Sequence, residues 1–204
     1  PELIRKLKEE LPSRTTRRME ATCEAIKYIK EKTNLFPVGM CIGPFSLMTK
    51  LISDPITAVY MLGMGVKEEE DDSVAMVKAC LEMATLVIGR YLQMQIDAGA
   101  GAIIMCEPAA NKIYISPNQM EEGSDVFDRC VIDYIKRLKQ LLDSRSVDLI
   151  LHDCGELIDE MVRKFAALDP AIISLGSSRK LWEDAKLVPK NIVLYGNLPS
   201  KHFY

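Results

Sequence analysis

Short apolar runs alternate with longer amphipathic stretches along the whole chain. The runs are Phe36 to Ile42, Ala102 to Cys106, Val147 to Leu151, Ala171 to Leu175 and Ile192 to Tyr195. They are rich in Val, Ile and Leu and lack the strict polar–apolar alternation of a half-exposed strand, so they predict strands buried on both faces. The stretches between them carry a helical period. Glu20 to Lys32 sets Ala25, Ile26 and Ile29 among charges. Ser73 to Ala98 repeats Val74, Val77, Leu81, Ala84, Ile88 and Tyr91 at three- and four-residue steps, which gives one apolar face, and Gly99 and Gly101 end it. Further helices are predicted over Phe45 to Ile52, from Ser116-Pro117, and over Ser124 to Leu142, Glu156 to Leu168 and Leu181 to Leu187. Asp54-Pro55 reads as a turn.

Strand and helix in regular alternation predict an α/β fold with a parallel sheet. Two architectures satisfy that pattern: an open doubly wound sheet, or a (β/α)₈ TIM barrel. A barrel takes roughly 250 residues, and this chain shows five strands in 204 residues. A barrel reading therefore implies that about five of the βα units are represented. We read 1–204 as a single domain with a helical lead-in over 1–35. Pro1 at the start and Lys201-His202-Phe203-Tyr204 at the end give the expectation of a piece of a longer chain.

Composition narrows the function classes. Apolar residues make up 48% and charged residues 27%, an ordinary globular balance. A net charge of −3 gives no basic face for nucleic acid. No apolar run approaches the ~20 residues of a membrane span, and Pro1 to Glu10 is charged, unlike a signal peptide. The six cysteines, Cys23, Cys41, Cys80, Cys106, Cys130 and Cys154, are widely spaced. That is not a disulfide framework, and a reduced, cytoplasmic protein is the expectation. The acidic run Glu68 to Asp72 precedes a long helix, where it suits the positive end of the helix dipole.

Each predicted strand ends in a polar or glycine-bearing signature: Gly43-Pro44-Phe45-Ser46, Glu107-Pro108-Ala109-Ala110-Asn111, His152-Asp153-Cys154-Gly155, Gly176-Ser177-Ser178 and Gly196-Asn197. Polar groups gathered at one end of a sheet predict a site there. The most informative is the third. An imidazole and a thiol at i and i+2 lie on one side of a strand, and His with Cys suits zinc. Asp153 alternates away from them and reads as structural. Glu107 can serve as a ligand, a proton acceptor or a substrate contact, or it can cap a helix or pair with Lys112. Cys106 points to the opposite side from Glu107. There is no Walker loop, no complete dinucleotide fingerprint and no serine nucleophile elbow.

The order Gly43-Pro44-Phe45-Ser46-Leu47, Glu107-Pro108-Ala109-Ala110, Ile115-Ser116-Pro117, His152-Asp153-Cys154-Gly155 and Gly196-Asn197-Leu198-Pro199 resembles the uroporphyrinogen decarboxylase superfamily. Its His-x-Cys-Gly resembles the corrinoid-dependent methyltransferase branch, which moves a methyl group from a methylated corrinoid protein to coenzyme M. The resemblance implies a TIM barrel with its pocket at the carboxyl ends of the strands. It implies zinc on His152 and Cys154, with a further Cys ligand far downstream; no Cys follows Cys154 here. It also places Gly43, Phe45 and Asn197 at a corrinoid (cobalamin), and the strand-end position of Glu107 gives that residue a catalytic part beside them. The implied partners are a corrinoid protein or free cobalamin and a small-molecule methyl acceptor, a thiol or another; oligomer formation is left open. Two rivals stand beside this reading. One is metal-free uroporphyrinogen decarboxylation, although Arg14, Arg17 and Arg18 do not match the arginine motif of that branch. The other is a non-catalytic corrinoid-binding or scaffold protein.

Overall fold

The five apolar runs pair into one parallel sheet in the computed structural model of the chain, whose described residues are 5–6 and 9–199. The strands are β1 (Val38–Ile42), β2 (Ala102–Cys106), β3 (Asp148–Asp153), β4 (Ile172–Leu175) and β5 (Val193–Tyr195), and their spatial order is their chain order. That order chooses between the two architectures. A doubly wound sheet reverses direction at a switch point, whereas a barrel adds each strand beside the last. The molecule is an arc of a TIM-type barrel, with five consecutive strands.

Eight α-helices accompany the strands among the described residues. They are α1 (Arg17–Lys32), α2 (Pro44–Met48), α3 (Pro55–Gly63), α4 (Asp72–Asp97), α5 (Pro117–Glu121), α6 (Asp133–Asp143), α7 (Asp159–Ala166) and α8 (Leu181–Asp184). A π-helical turn, Asp128–Ile132, leads into α6 where the sequence predicted a continuous helix from Ser124. The longest helix, α4, crosses from β1 to β2, buries Val74, Val77, Leu81, Ala84 and Ile88 of the predicted stripe and leaves Tyr91 half-buried. Asp71 caps it by accepting from the Ser73 and Val74 N–H groups at 2.8 and 3.2 Å, so one residue of the acidic run does what the dipole argument asks. Near its other end the fully buried Gln95 accepts from the Met40 N–H at 2.8 Å and donates to the Met40 carbonyl at 3.1 Å, tying α4 to β1.

The two faces of the sheet differ. Gly39, Cys41, Ile103, Met105, Leu149, Leu151, Ile173 and Leu175 are buried on the helix side. Met120, Phe127, Val162 and Phe165 belong to the same core, and the Phe127 and Phe165 rings meet edge to face at 5.3 Å. The other face carries Met40, Ile42, Ile104, Cys106, Ile150, His152, Ile172, Ser174, Val193 and Tyr195, and much of it is open. Met40 is 57% and Tyr195 67% exposed. This is the surface that points into the lumen of a closed barrel. No helix among the described residues is long and apolar enough to cross a membrane. His202 lies outside the described residues.

Candidate metal site at the strand ends

Strand β3 runs two residues further than the apolar run alone predicts, so His152 and Asp153 are inside the ladder. Register then fixes the neighbours of the imidazole. His152 stands opposite Cys106 on β2 and Ser174 on β4. Its Nδ1 lies 3.0 Å from the Ser174 Oγ, which leaves the Nε2 edge for the open face. Two residues on, just past the end of β3, Cys154 is exposed. His152 and Cys154 therefore both stand at the carboxyl end of β3. Cys106 shares that face. Burial pushes its thiol up from the ordinary value, and the neighbouring Cys154 adds to the shift.

The loops hold Cys154 tightly. Gly176 donates its N–H to the Asp153 carbonyl at 3.0 Å. An added Cβ at Gly176 would stand 2.6 Å from the Cys154 carbonyl oxygen and 2.9 Å from its Cα. Backbone atoms cannot swing aside as a flexible side chain can, so Gly176→Ala must displace the loop that carries the thiol. We expect a loss of about 1–3 kcal/mol, measured by urea unfolding, together with weaker metal uptake. Wild-type stability and uptake would count against this packing. On the far side Asn197 donates Nδ2 to the carbonyls of Gly176 and Arg179 at 2.7 and 2.6 Å. Its amide nitrogen therefore serves the β4 loop.

A metal needs three or four ligands. Among the described residues, no group of three or more His, Cys, Asp or Glu side chains is arranged to hold one. The donor types of His152 and Cys154 suit zinc.

Comparison with known proteins places this geometry. A family model described as uroporphyrinogen decarboxylase (URO-D) matches residues 1–204. The chain belongs to the uroporphyrinogen decarboxylase family. A search of curated proteins finds no match. Among solved structures, a methyltransferase from Methanosarcina mazei superposes with a TM-score of 0.70 at 21% identity. The likeness covers 93% of this chain and 50% of that one, so the chain spans half the length of its neighbour.

Three of the expected site residues lie away from the open face of this decarboxylase-family arc. Glu107 alternates with Cys106 and turns to the helix side, where it is fully buried. Its carboxylate accepts from the Ser46 N–H at 2.5 Å and also bonds the Phe45 N–H, so it caps α2 rather than facing His152. Lys112 pairs with Glu156 instead. Gly43 is buried against this carboxylate, and a Cβ there would overlap Oε2. Phe45 is 0% exposed and packs edge-on to Tyr114 at 6.3 Å; its ring is core and has no surface to offer a corrinoid. Ser174 is the site residue that sequence reasoning missed. Its signal was a hydroxyl inside an otherwise apolar strand.

Two buried carboxyls under the site set a pH dependence. Burial raises Glu107 to about 7. Burial, with the Glu107 charge adding to it, raises Asp153 to about 8 against the N–H donated by Gly155. Glu107 Oε2 and Asp153 Oδ2 have no hydrogen-bond partner. A group whose folded pKa is raised holds its proton better in the fold. Its contribution is complete below the unfolded pKa and disappears as pH rises through the folded one. Stability should therefore fall between about pH 5 and 8, by up to ~1.4 kcal/mol per pH unit for each group. Glu107→Gln, which mimics the neutral acid, should flatten the slope in denaturation curves taken across that range. An unchanged slope in this variant would assign the dependence elsewhere.

Proposed function

We propose that this chain is the zinc-binding part of a methyltransferase that moves a methyl group between a corrinoid and a thiol or other small acceptor. The observation that supports it is that His152, inside the β3 ladder, and the exposed Cys154 two residues on both stand at the carboxyl end of that strand. That is where barrel enzymes carry their chemistry. His152 offers an imidazole nitrogen and Cys154 its sulfur, and the acceptor supplies a further ligand. Zinc bound there supplies a Lewis acid that favours the acceptor as thiolate near neutral pH. The chain's own part is positional. Ser174 steadies the imidazole, the Gly176 close approach steadies Cys154, and the mouth fixes where the acceptor sulfur meets the methyl donor.

The test is metal analysis of the full-length protein from zinc-replete medium, followed by thiol-dependent demethylation of methylcobalamin. Near-stoichiometric zinc, and turnover that is lost with the metal, are the expected results. Folded protein that holds no zinc would overturn the reading. Decarboxylation of a tetrapyrrole polycarboxylate by metal-free protein would favour the decarboxylase alternative.

A further inference from the structure

We infer that Tyr195 is a specificity-determining residue, whose phenol hydroxyl hydrogen-bonds a neutral polar group on the small thiol that enters the barrel mouth.

The open face sorts its side chains by row. Strand register sets Met40, Ile104, Ile150, Ile172 and Val193 side by side across the sheet, and all are apolar. Two residues nearer the carboxyl ends, the row is Ile42, Cys106, His152, Ser174 and Tyr195, and four of these five carry a hydrogen-bonding group. A closed barrel fills its lumen with branched apolar side chains, as the first row does. A polar group inside such packing costs free energy unless it meets a partner. The change from one row to the next therefore marks where packing stops and ligand space begins. His152 and Ser174 meet at 3.0 Å within the second row, and Tyr195 ends it. Tyr195 is the last residue of β5 and is 67% exposed, so the fold leaves its hydroxyl to a ligand or to water. Adjacent strands lie about 4.8 Å apart, which sets the backbones at His152 and Tyr195 roughly 10 Å from each other. Two side chains leaning over that gap leave room for a molecule of a few heavy atoms, with its sulfur at the β3 end and a second polar group at the phenol. The row contains no lysine or arginine, so the group it suits is a neutral hydroxyl or amide rather than an anion. A phenol can both donate to and accept from such a group.

This inference rests on the reading of the mouth as a methyl-transfer site, but its first test needs no turnover. In full-length protein labelled with ring-¹³C tyrosine, the Tyr195 resonance is the one lost in Tyr195→Phe. Titration with 2-mercaptoethanol should move it saturably. Ethanethiol, which lacks the second polar group, should move it much less. Methylcobalamin demethylation then supplies the kinetic half. Tyr195→Phe should raise KM for 2-mercaptoethanol by about 2- to 10-fold, the share of one neutral hydrogen bond, with kcat unchanged. Its KM for ethanethiol should match the wild type. The substitution removes one hydroxyl from an exposed position, so the thermal midpoint should stay as it is, and a merely structural tyrosine would affect both thiols alike. A Tyr195 resonance indifferent to 2-mercaptoethanol overturns the inference. So does a variant that handles both thiols as the wild type does, or that is impaired equally with both. Wild-type protein whose Tyr195 resonance responds to 2-mercaptoethanol but which transfers no methyl group overturns the methyltransferase reading and leaves the contact standing.

Discussion

Cys154→Ser should abolish stoichiometric zinc and take methyl transfer with it. A direct ligand is worth more than an outer-shell partner, whose loss costs roughly 10- to 100-fold in metal affinity. Affinity should therefore drop by more than about 10², and His152→Ala should match it. The two changes together should cost little more than either alone, because a half-dismantled shell has no second half to lose. Neither change should unfold the protein. Cys154 is exposed and His152 only partly buried, so thermal midpoints should stay close to wild type. Zinc content by mass spectrometry, set beside calorimetry, separates a lost ligand from a lost fold. Retention of zinc and turnover in Cys154→Ser would remove that thiol from the mechanism.

The largest effect on stability should come from Arg179→Met. Arg179 follows β4 and closes three loops at once. Its Nε donates to Asp184 Oδ1 at 3.0 Å, with a second contact to the same oxygen from Nη2. Nη2 also reaches Asp159 at 2.7 Å, and Nη1 donates to the Leu157 carbonyl at 3.1 Å. The Asp184 side chain is 0% exposed. Removing the cation strands a carboxylate away from water, which costs about 3–5 kcal/mol, or roughly 10 °C in Tm for a domain of this size. Changing both partners to apolar residues of similar volume should recover most of the loss, because the pair's own desolvation then disappears as well. The Arg179 carbonyl accepts from Asn197, and the Gly176 turn lies beside Cys154, so Arg179→Met should also loosen the mouth. A change in Tm below about 2 °C would show that the network carries little of the fold's stability.

The periodic signals in the sequence translate directly into structure where burial is two-sided. The apolar run Ala102 to Cys106 became a strand with the same limits, the other four runs became strands whose ends move by one or two residues, and most of the α4 stripe is buried as its spacing demands. The misreadings have local causes. Asp54-Pro55 looks like a turn, yet Asp54 accepts from the Thr57 N–H at 3.1 Å and Pro55 takes the first helical position of α3. The same dipeptide that breaks a chain also starts a helix. The end of β3 was set too early because His and Asp are not strand-like in composition; ladder pairing with β2 and β4 carries them. At the site, the period of two set the buried Asp153 apart from His152. Glu107 obeys the same period, and its strand-end position alone made it look like a member of the site. Its true partners, the N–H groups of α2, lie some sixty residues earlier in the chain, and no local pattern reports contact over that separation. Ser174 was hidden for a related reason, since its meaning depends on strand register and not on its own neighbours.

The central claim is that the imidazole of His152 in β3 and the sulfur of Cys154 just past its end share an ion. Zinc-edge X-ray absorption of the full-length protein tests it most directly. The account predicts a nitrogen shell at about 2.0–2.1 Å together with sulfur at about 2.3 Å, and loss of one sulfur scatterer in Cys154→Ser. A shell of oxygen and nitrogen alone, or one unchanged by that substitution, would contradict it.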